Sequence, residues 1–191
     1  STDCRPCHFP LLIFFFYYSD NNADELLVFD MSDGDKEHEE ALDIIKEICK
    51  EAEMPVIGAG NIHRMEDVKK LLYAGCKRAA LNYSRVENIE LTEEVSKKFG
   101  KEKIAVCFQE TGTILRYQDL IGEYVSELIL LNTSALRESM DLWKGEAGIL
   151  ALLPEVSLDK LINLLSTPSI CGITGYAVNE NAKGLADIKT L

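Results

Sequence analysis

The sequence contains no apolar run long enough for a transmembrane helix. Its longest apolar run, Phe9–Tyr18, is interrupted by Pro10 and has about half of the roughly 20 residues that a membrane span needs. A secretory signal peptide would place basic residues before such a run and a small-residue cleavage site after it, but the polar segment 19–22 follows instead. We therefore expect a cytoplasmic protein without membrane contact, in which this run forms a buried element.

Positive charge is also scarce, since 20 Lys and Arg residues face 32 Asp and Glu residues and the net charge is −12. A nucleic-acid backbone would be repelled by such a protein, so we expect no nucleic-acid partner. A small anion stays compatible with this charge, because a local cluster of backbone N–H groups can bind phosphate inside an acidic protein. With 47% hydrophobic and 27% charged residues in 191, the composition indicates one globular domain spanning residues 1–191.

The six cysteines do not form a recognisable disulfide framework. Four of them stand singly in apolar segments, where a free thiol behaves as a small hydrophobic group, and this pattern favours a reducing compartment: Cys49, Cys76, Cys107 and Cys171. The stretch Cys4–His8 formally matches a haem-attachment motif and resembles half of a zinc site. Haem attachment requires export, and a tetrahedral zinc site requires a second ligand pair at suitable spacing. We therefore expect two ordinary thiols there, with no metal and no cofactor.

From residue 23 onward, short apolar runs alternate with segments of helical periodicity. Seven such runs are predicted strands, each followed by an amphipathic segment: Glu25–Asp30, Pro55–Gly60, Arg78–Asn82, Lys103–Phe108, Glu127–Asn132, Ala147–Leu153 and Pro168–Gly175. Continuous apolar runs are typical of parallel strands that are buried on both faces. Seven or eight βα units of about 22 residues fit either a doubly wound sheet or a closed barrel. The regular spacing favours a (βα)8 TIM-type barrel.

The first βα unit of this barrel is predicted to be shortened or irregular. About 18 residues separate Cys7 from Leu26, which is too few for a strand, a loop and a whole helix. In a barrel of this type the functional residues lie at the carboxyl ends of the strands. The turn 58–61 (Gly-Ala-Gly-Asn) falls at such an end, where glycine lets the backbone approach a ligand closely. A Gly-x-Gly by itself is also compatible with an ordinary tight turn.

Three stretches, residues 23–35, 55–91 and 110–135, together resemble the histidine-biosynthesis barrel family. That family contains the phosphoribosylformimino-aminoimidazole carboxamide ribotide isomerase and the cyclase subunit of imidazole glycerol phosphate synthase. The resemblance implies a substrate with two phosphates, one held in each half-barrel, and catalytic aspartates after the first and fifth strands. It is good from about residue 23 to residue 131 and only architectural after that.

The resemblance assigns candidate phosphate-binding residues. For the first phosphate they are Gly58, Gly60 and Asn61 after the family's third strand, and Asn82 to Ser84 after the fourth. The second phosphate site is weaker: Leu153 and Pro154 stand where the family has a glycine pair, and only Gly172 and Gly175 offer a glycine turn. The expected ligand is a phosphorylated ribotide, or a phosphate or sulfate ion.

The family's catalytic aspartates are predicted to be replaced. Phe9 and Phe108 stand at the matching positions, and phenylalanine can neither donate nor accept a proton. Glu110 and Asp30 are the remaining catalytic candidates at strand ends. Asp30, Asp33 and Asp35 could suggest a metal cluster, but we favour a solvated loop with helix-capping acids. His38 and His63 are expected to be exposed, and Trp143 to pack in the core.

Three functions follow as hypotheses. The first is a catalytically degenerate barrel that keeps one phosphate site and acts as a scaffold or binds a phosphoribosyl ligand. The resemblance implies a setting for it, as the N-terminal barrel of a bifunctional phosphoribosyl-AMP cyclohydrolase/phosphoribosyl-ATP pyrophosphatase, fused to or associated with those histidine-pathway domains. The second is an active isomerase or cyclase that uses displaced acids. The third is a non-enzymatic docking module that presents the aromatic run 12–18 to a partner.

Overall fold

The computed structural model describes residues 23–153 and 157–174. Several expectations lie outside these residues: the Cys4–His8 motif, the buried run Phe9–Tyr18 with Phe9 at a catalytic position, the first βα unit, and Gly175 of the weak second phosphate site. These expectations, and the assignment of the whole chain to one domain, stay predictions.

All seven predicted strands are present, and they form one parallel sheet. Their order in the sheet is the order in the chain, so each strand pairs with the one that precedes it and the one that follows. The register places Leu26 beside Val56 at one edge and Ala105 beside Glu127 near the centre. The strands are β1 Leu26–Phe29, β2 Val56–Ala59, β3 Arg78–Asn82, β4 Ile104–Phe108, β5 Glu127–Leu130, β6 Gly148–Leu152 and β7 Ile170–Thr174.

A helical segment connects each strand to the next, which parallel pairing requires. This alternation around a curled sheet confirms the (βα) barrel class. The longest described helix has 17 residues, and none of those described is both long and apolar enough to cross a membrane. The helices are α1 Asp35–Glu51, α2 Met65–Ala74, α3 Val86–Phe99, α4 Thr111–Arg116, α5 Gln118–Tyr124, α6 Leu136–Leu142 and α7 Leu158–Leu165, with short 3₁₀ helices at Lys101–Lys103 and Thr133–Ala135.

The helix boundaries follow local chemistry. Helix α1 carries Asp35 and Glu37 in its first turn and Lys50 in its last, as the helix dipole favours. Helix α2 ends at Gly75, whose φ of +115° lets the backbone turn back on the helix. The N–H of Cys76 then donates to the carbonyl of Leu71 at 3.1 Å.

The two faces of the sheet bury different side chains. Every second strand residue packs against the helices, and Val106 and Phe108 of β4 are among these. The residues between them form the inner cluster, of which three are alanines: Ile57, Ala59, Ala80, Ala105, Cys107, Ile129 and Leu150. Side chains on the inner face of a barrel fill its interior as a packed core. Trp143 is buried in the helix-facing core, as expected, and its indole N–H donates to Ala147 O at 2.8 Å.

An ion-pair network lies at the amino ends of the strands. Arg78, at the start of β3, donates to Glu25 at 2.7 Å and lies 3.4 Å from the carboxylate of Glu127 at the start of β5. Lys77 adds a second contact to Glu25 at 2.8 Å. Burial raises the pKa of Glu127, and the neighbouring Arg78 only partly offsets this. In (βα) barrels this end serves stability, and the candidate site lies at the other end.

Candidate functional site

The turn after β2 is built on two residues in the left-handed region. Gly60 has a φ of +85° and Asn61 has a φ of +45°. A Cβ at Gly60 would lie 2.8 Å from the carbonyl carbon of Asp30 and closer still to its oxygen. Glycine and asparagine are the residues that adopt this conformation most readily. Glycine is therefore required at position 60, because the backbone at the end of β1 lies too close for a side chain.

Asn61 fixes the neighbouring loop after β1. Its side-chain amide donates to both the backbone carbonyl and the hydroxyl of Ser32, at 2.7 Å in each case. The Ser32 hydroxyl in turn donates to Asp30 at 2.6 Å, and the Ser32 backbone N–H donates to the same oxygen at 3.0 Å. The other Asp30 oxygen is hydrogen-bonded to Nδ1 of His38 on α1. These contacts join β1, α1 and the β2 turn in one network.

The environment of Asp30 differs from the solvated loop expected from the sequence, which is therefore wrong for this residue. Asp30 is 5% exposed, and the side chain of His38, expected to be exposed, is only 15% exposed. Burial alone would raise the pKa of Asp30, but the hydrogen bonds from Ser32 and His38 outweigh it and hold this pKa below its usual value. Asp35 does lie in the first turn of α1, as a helix-capping acid would.

The turn after β3 continues the same edge of the sheet. The side-chain oxygen of Asn82 accepts from the N–H of Ser84 at 2.9 Å, and its backbone carbonyl accepts from the N–H of Arg85 at 3.0 Å. Such a turn is typical of asparagine, which hydrogen-bonds its own backbone two residues on. Tyr83 between them is buried, and its hydroxyl hydrogen-bonds Thr92 of α3 at 2.9 Å. Helix α3 begins immediately after this turn.

Asn88 joins the two turns and was not among the residues singled out from the sequence. It is 1% exposed. In the amide orientation that gives both its atoms a partner, it donates to Ile62 O at 2.9 Å and accepts from Asn82 N–H at 3.0 Å. The sequence feature that could have identified Asn88 is its position four residues before Thr92, on the buried face of a helix. An amide without a hydrogen-bond partner would be unfavourable there.

Basic side chains stand at the rim of these turns. His63 is exposed in the loop before α2, as expected, and its Nδ1 lies 2.9 Å from the Arg85 guanidinium at the start of α3. The backbone N–H groups of His63 and Arg64 both donate to the buried carboxylate of Asp67, at 3.0 and 3.1 Å. Asp67 therefore already accepts from the two backbone N–H groups that immediately precede α2, and they are not free for an incoming anion.

Two of the predicted glycines occupy strands. Gly58 lies within β2, and a Cβ there would come within 2.9 Å of both Leu71 and Cys76 on the helix side. Helix packing is thus a sufficient reason for Gly58. Gly172 lies within β7, paired with Leu150, so the expected glycine turn does not begin there. Their assignment to phosphate sites stays a prediction.

At the end of β4, Phe108 does not occupy the catalytic position to which the resemblance assigned it. Phe108 is 1% exposed and belongs to the helix-facing core, so it does not point into the barrel. Its neighbour Cys107 does, and by strand alternation the next inward position at the end of β4 is Gln109. Glu110 is exposed at the N-cap of α4. An amide stands at this strand end, and it cannot act as a general acid or base at neutral pH.

The described residues thus define a parallel (βα) barrel with asparagine and glycine turns at the carboxyl ends of β2 and β3. Residues 11–118 match the model of the family described as "Histidine biosynthesis protein". The chain belongs to this family.

Several curated proteins are similar to part of the chain. The imidazole glycerol phosphate synthase subunit HisF of Campylobacter concisus is 32% identical over 90 residues, which are 47% of this chain and 36% of that protein. The HisF subunit of Staphylococcus saprophyticus is 33% identical over 94 residues, 49% of this chain and 37% of that protein. That of an Exiguobacterium species is 30% identical over 108 residues, 56% and 40% respectively. The chain thus spans well under half the length of these relatives.

Proposed function

We propose that this chain is a histidine-biosynthesis barrel domain that binds the phosphate of a phosphorylated ribotide at the ends of β2 and β3 and does not catalyse the family's reactions. One observation carries the proposal. The left-handed turn at Gly60 and Asn61 and the asparagine turn at Asn82 to Ser84 lie on neighbouring strands, tied together by the buried amide of Asn88. The first turn lies ahead of the N-terminus of α2 and the second ahead of that of α3, where the helix dipoles favour an anion.

Charge at the rim supports the same ligand. Arg85 and His63 approach each other over these turns, and the positive guanidinium lies there in a protein of net charge −12. A dianionic phosphate placed between the two turns would be attracted by Arg85 and by the N-terminal ends of α2 and α3. The ligand class is therefore a phosphate monoester, and family membership favours a ribotide of histidine biosynthesis.

The candidate acids are poorly suited to acid–base catalysis. Both carboxylate oxygens of Asp30 are occupied by hydrogen bonds, and its lowered pKa makes it a poor proton donor. At the end of β4 the inward position is held by Gln109, and Glu110 caps a helix in solvent. A pair of carboxyl groups on opposite sides of a bound substrate is not provided by these residues.

The setting of the domain is also part of the proposal. A binding domain that retains a ribotide site without turnover would serve as a scaffold beside other enzymes of the same pathway. Phosphoribosyl-AMP cyclohydrolase and phosphoribosyl-ATP pyrophosphatase domains, fused or associated, are the partners that we propose. Co-purification of the chain with those two domains tests this part separately from ligand binding.

The experiment for the binding site is calorimetric titration with phosphoribosylformimino-aminoimidazole carboxamide ribotide, with inorganic phosphate and sulfate as competitors. We expect one ribotide per chain, competed by both anions. An Asn82→Ala variant should lose at least tenfold in affinity, because the Ser84 turn loses its acceptor.

The matched control is Asn132→Ala. Asn132 forms the same kind of turn, accepting from Ser134 N–H at 3.0 Å, but it follows β5, two strands away from β3. Its removal should leave the affinity unchanged. An equal loss in both variants, or no binding by the unaltered chain, would refute the site.

A further inference from the structure

Two of the cysteines that stand far apart in the sequence lie side by side in the fold. Cys49 is in the last turns of α1, and Cys76 is in the turn between α2 and β3, with 3.8 Å between their sulfur atoms. The approach is fixed by the backbone, since a Cβ on Gly75 would lie 2.8 Å from the Cβ of Cys49. Helix α1 therefore packs directly against this turn.

The two thiols differ in exposure and acidity. Cys76 is 3% exposed and packs beside Leu71 and Gly58, whereas Cys49 is only half-buried and can meet a small solute. The hydrogen bond between the two thiols lowers the pKa of Cys49. The same hydrogen bond, together with burial, raises the pKa of Cys76. Cys49 is thus both the more acidic and the more accessible of the two thiols, and thiolate character and access decide which cysteine is oxidised first.

We propose that Cys49 and Cys76 are an oxidisable pair, in which hydrogen peroxide oxidises Cys49 and Cys76 then closes a disulfide to it. The inference is independent of the proposed ribotide site. The proposal also differs from the sequence prediction, in which these cysteines are isolated and behave as small hydrophobic groups. The disulfide would tie α1 covalently to the start of β3.

The chemistry balances with peroxide as the only co-reactant. The Cys49 thiolate attacks one peroxide oxygen, the O–O bond breaks, and the departing hydroxide takes a proton to become water, leaving a sulfenic acid. Cys76 then attacks the Cys49 sulfur, the S–O bond breaks, and the departing hydroxide takes the Cys76 proton as a second water. The two sulfurs lose two electrons in total, and the peroxide gains them.

Geometry favours closure over further oxidation of Cys49. The sulfur atoms are already in contact and need to approach from 3.8 Å to about 2.05 Å. Cys49 lies near the end of a helix with a partly exposed side chain, so rotation about its side-chain bonds supplies much of this movement. Once Cys49 is a sulfenic acid it is no longer a thiolate, so it no longer holds the Cys76 proton in place.

The test uses the full chain with Cys4 and Cys7 both replaced by serine, so that four thiols remain. The folded protein is treated with a small excess of hydrogen peroxide, and the thiols are then counted after denaturation. We expect the loss of two thiols and a cross-linked peptide pair containing Cys49 and Cys76, about 2 Da lighter than the two free peptides. The Tm should rise by about 5 °C or more and return on reduction.

Matched variants separate this pair from the other cysteines. Cys171→Ser should still lose two thiols, while Cys49→Ser should give no cross-link. The peptide map of the parent protein decides the question even if a variant folds poorly. Oxidation of Cys49 to a sulfinic acid without a cross-link to Cys76, or a cross-link of Cys49 to Cys107 or Cys171, would overturn the proposal.

Discussion

Gly60 lies against the carbonyl group of Asp30 so closely that no side chain fits between them. A Cβ at Gly60 would be 2.8 Å from the Asp30 carbonyl carbon, and the φ of Gly60 is +85°. Two independent constraints, a steric one and a conformational one, therefore select glycine at the end of β2. The contact also sets the position of Asn61, whose amide holds the loop that follows β1.

Replacing Gly60 with alanine should destabilise the protein by roughly 2–4 kcal/mol, because the added methyl group clashes with backbone and the φ is unfavourable for alanine. The free energy of unfolding in urea measures this. Gly112→Ala is the matched control, since Gly112 lies in α4 and a Cβ there meets nothing within 4 Å. Equal stability of the two variants would contradict the strand-end contact.

Removal of the Asn88 side chain should cost about 1–3 kcal/mol, because it leaves Ile62 O and Asn82 N–H without a partner in the interior. It should also weaken ribotide binding, since the two turns are then no longer joined. Urea unfolding and calorimetry of Asn88→Ala measure the two effects. Asn163→Ala, an exposed substitution in α7, should change stability by less than about 0.5 kcal/mol; a similar loss in both would exclude a specific role for Asn88.

Asp30 should make stability depend on pH in the acid range. Folding lowers its pKa, so Asp30 stabilises the folded protein above the ordinary aspartate pKa of about 3.9. This contribution to the free energy of unfolding is lost as the pH falls through the lower pKa of the folded state. Asp30→Asn should be less stable than the parent at pH 7, with a difference that shrinks as the pH falls below about 4. Urea unfolding at a series of pH values measures this. A difference that does not change with pH would show that the carboxylate charge is not what stabilises the loop.

Glu127 should behave in the opposite sense. Burial raises its pKa, so Glu127 stabilises the folded protein below the ordinary glutamate pKa of about 4.3. This contribution to the free energy of unfolding is lost as the pH rises through the higher pKa of the folded state. In Glu127→Gln this cost disappears, while Arg78 keeps its contact with Glu25 at 2.7 Å. We expect the variant to gain stability relative to the parent as the pH rises from 4 to 8. A relative loss over that range would mean that the attraction of Arg78 exceeds the cost of burial.

The strands were predictable because their chemistry is local. Each of the seven apolar runs forms a strand. What the sequence could not reveal is which face each residue occupies. In the run Ile104–Phe108 every side chain is buried, so no polar residue marks the outer face, and Phe108 could be mistaken for an inward residue.

The candidate site was predictable only in part, for a related reason. Gly60, Asn61 and Asn82 do lie at strand ends. They were predictable because glycine and asparagine are residue types that favour turns. Gly58 looks the same in the sequence, yet its space is filled by Leu71 and Cys76. Contacts between distant segments, such as His38 with Asp30 and Asn88 with Ile62, depend on the packing of helices on strands and leave no periodic signal.

The most direct test of the central claim is a calorimetric titration of the full chain with the ribotide, followed by a turnover assay on the same sample. We expect one ribotide to bind, inorganic phosphate to compete with it, and no product to form. Product formation that Glu110→Gln abolishes would contradict the assignment of a non-catalytic barrel. Absence of any binding would contradict the phosphate site itself.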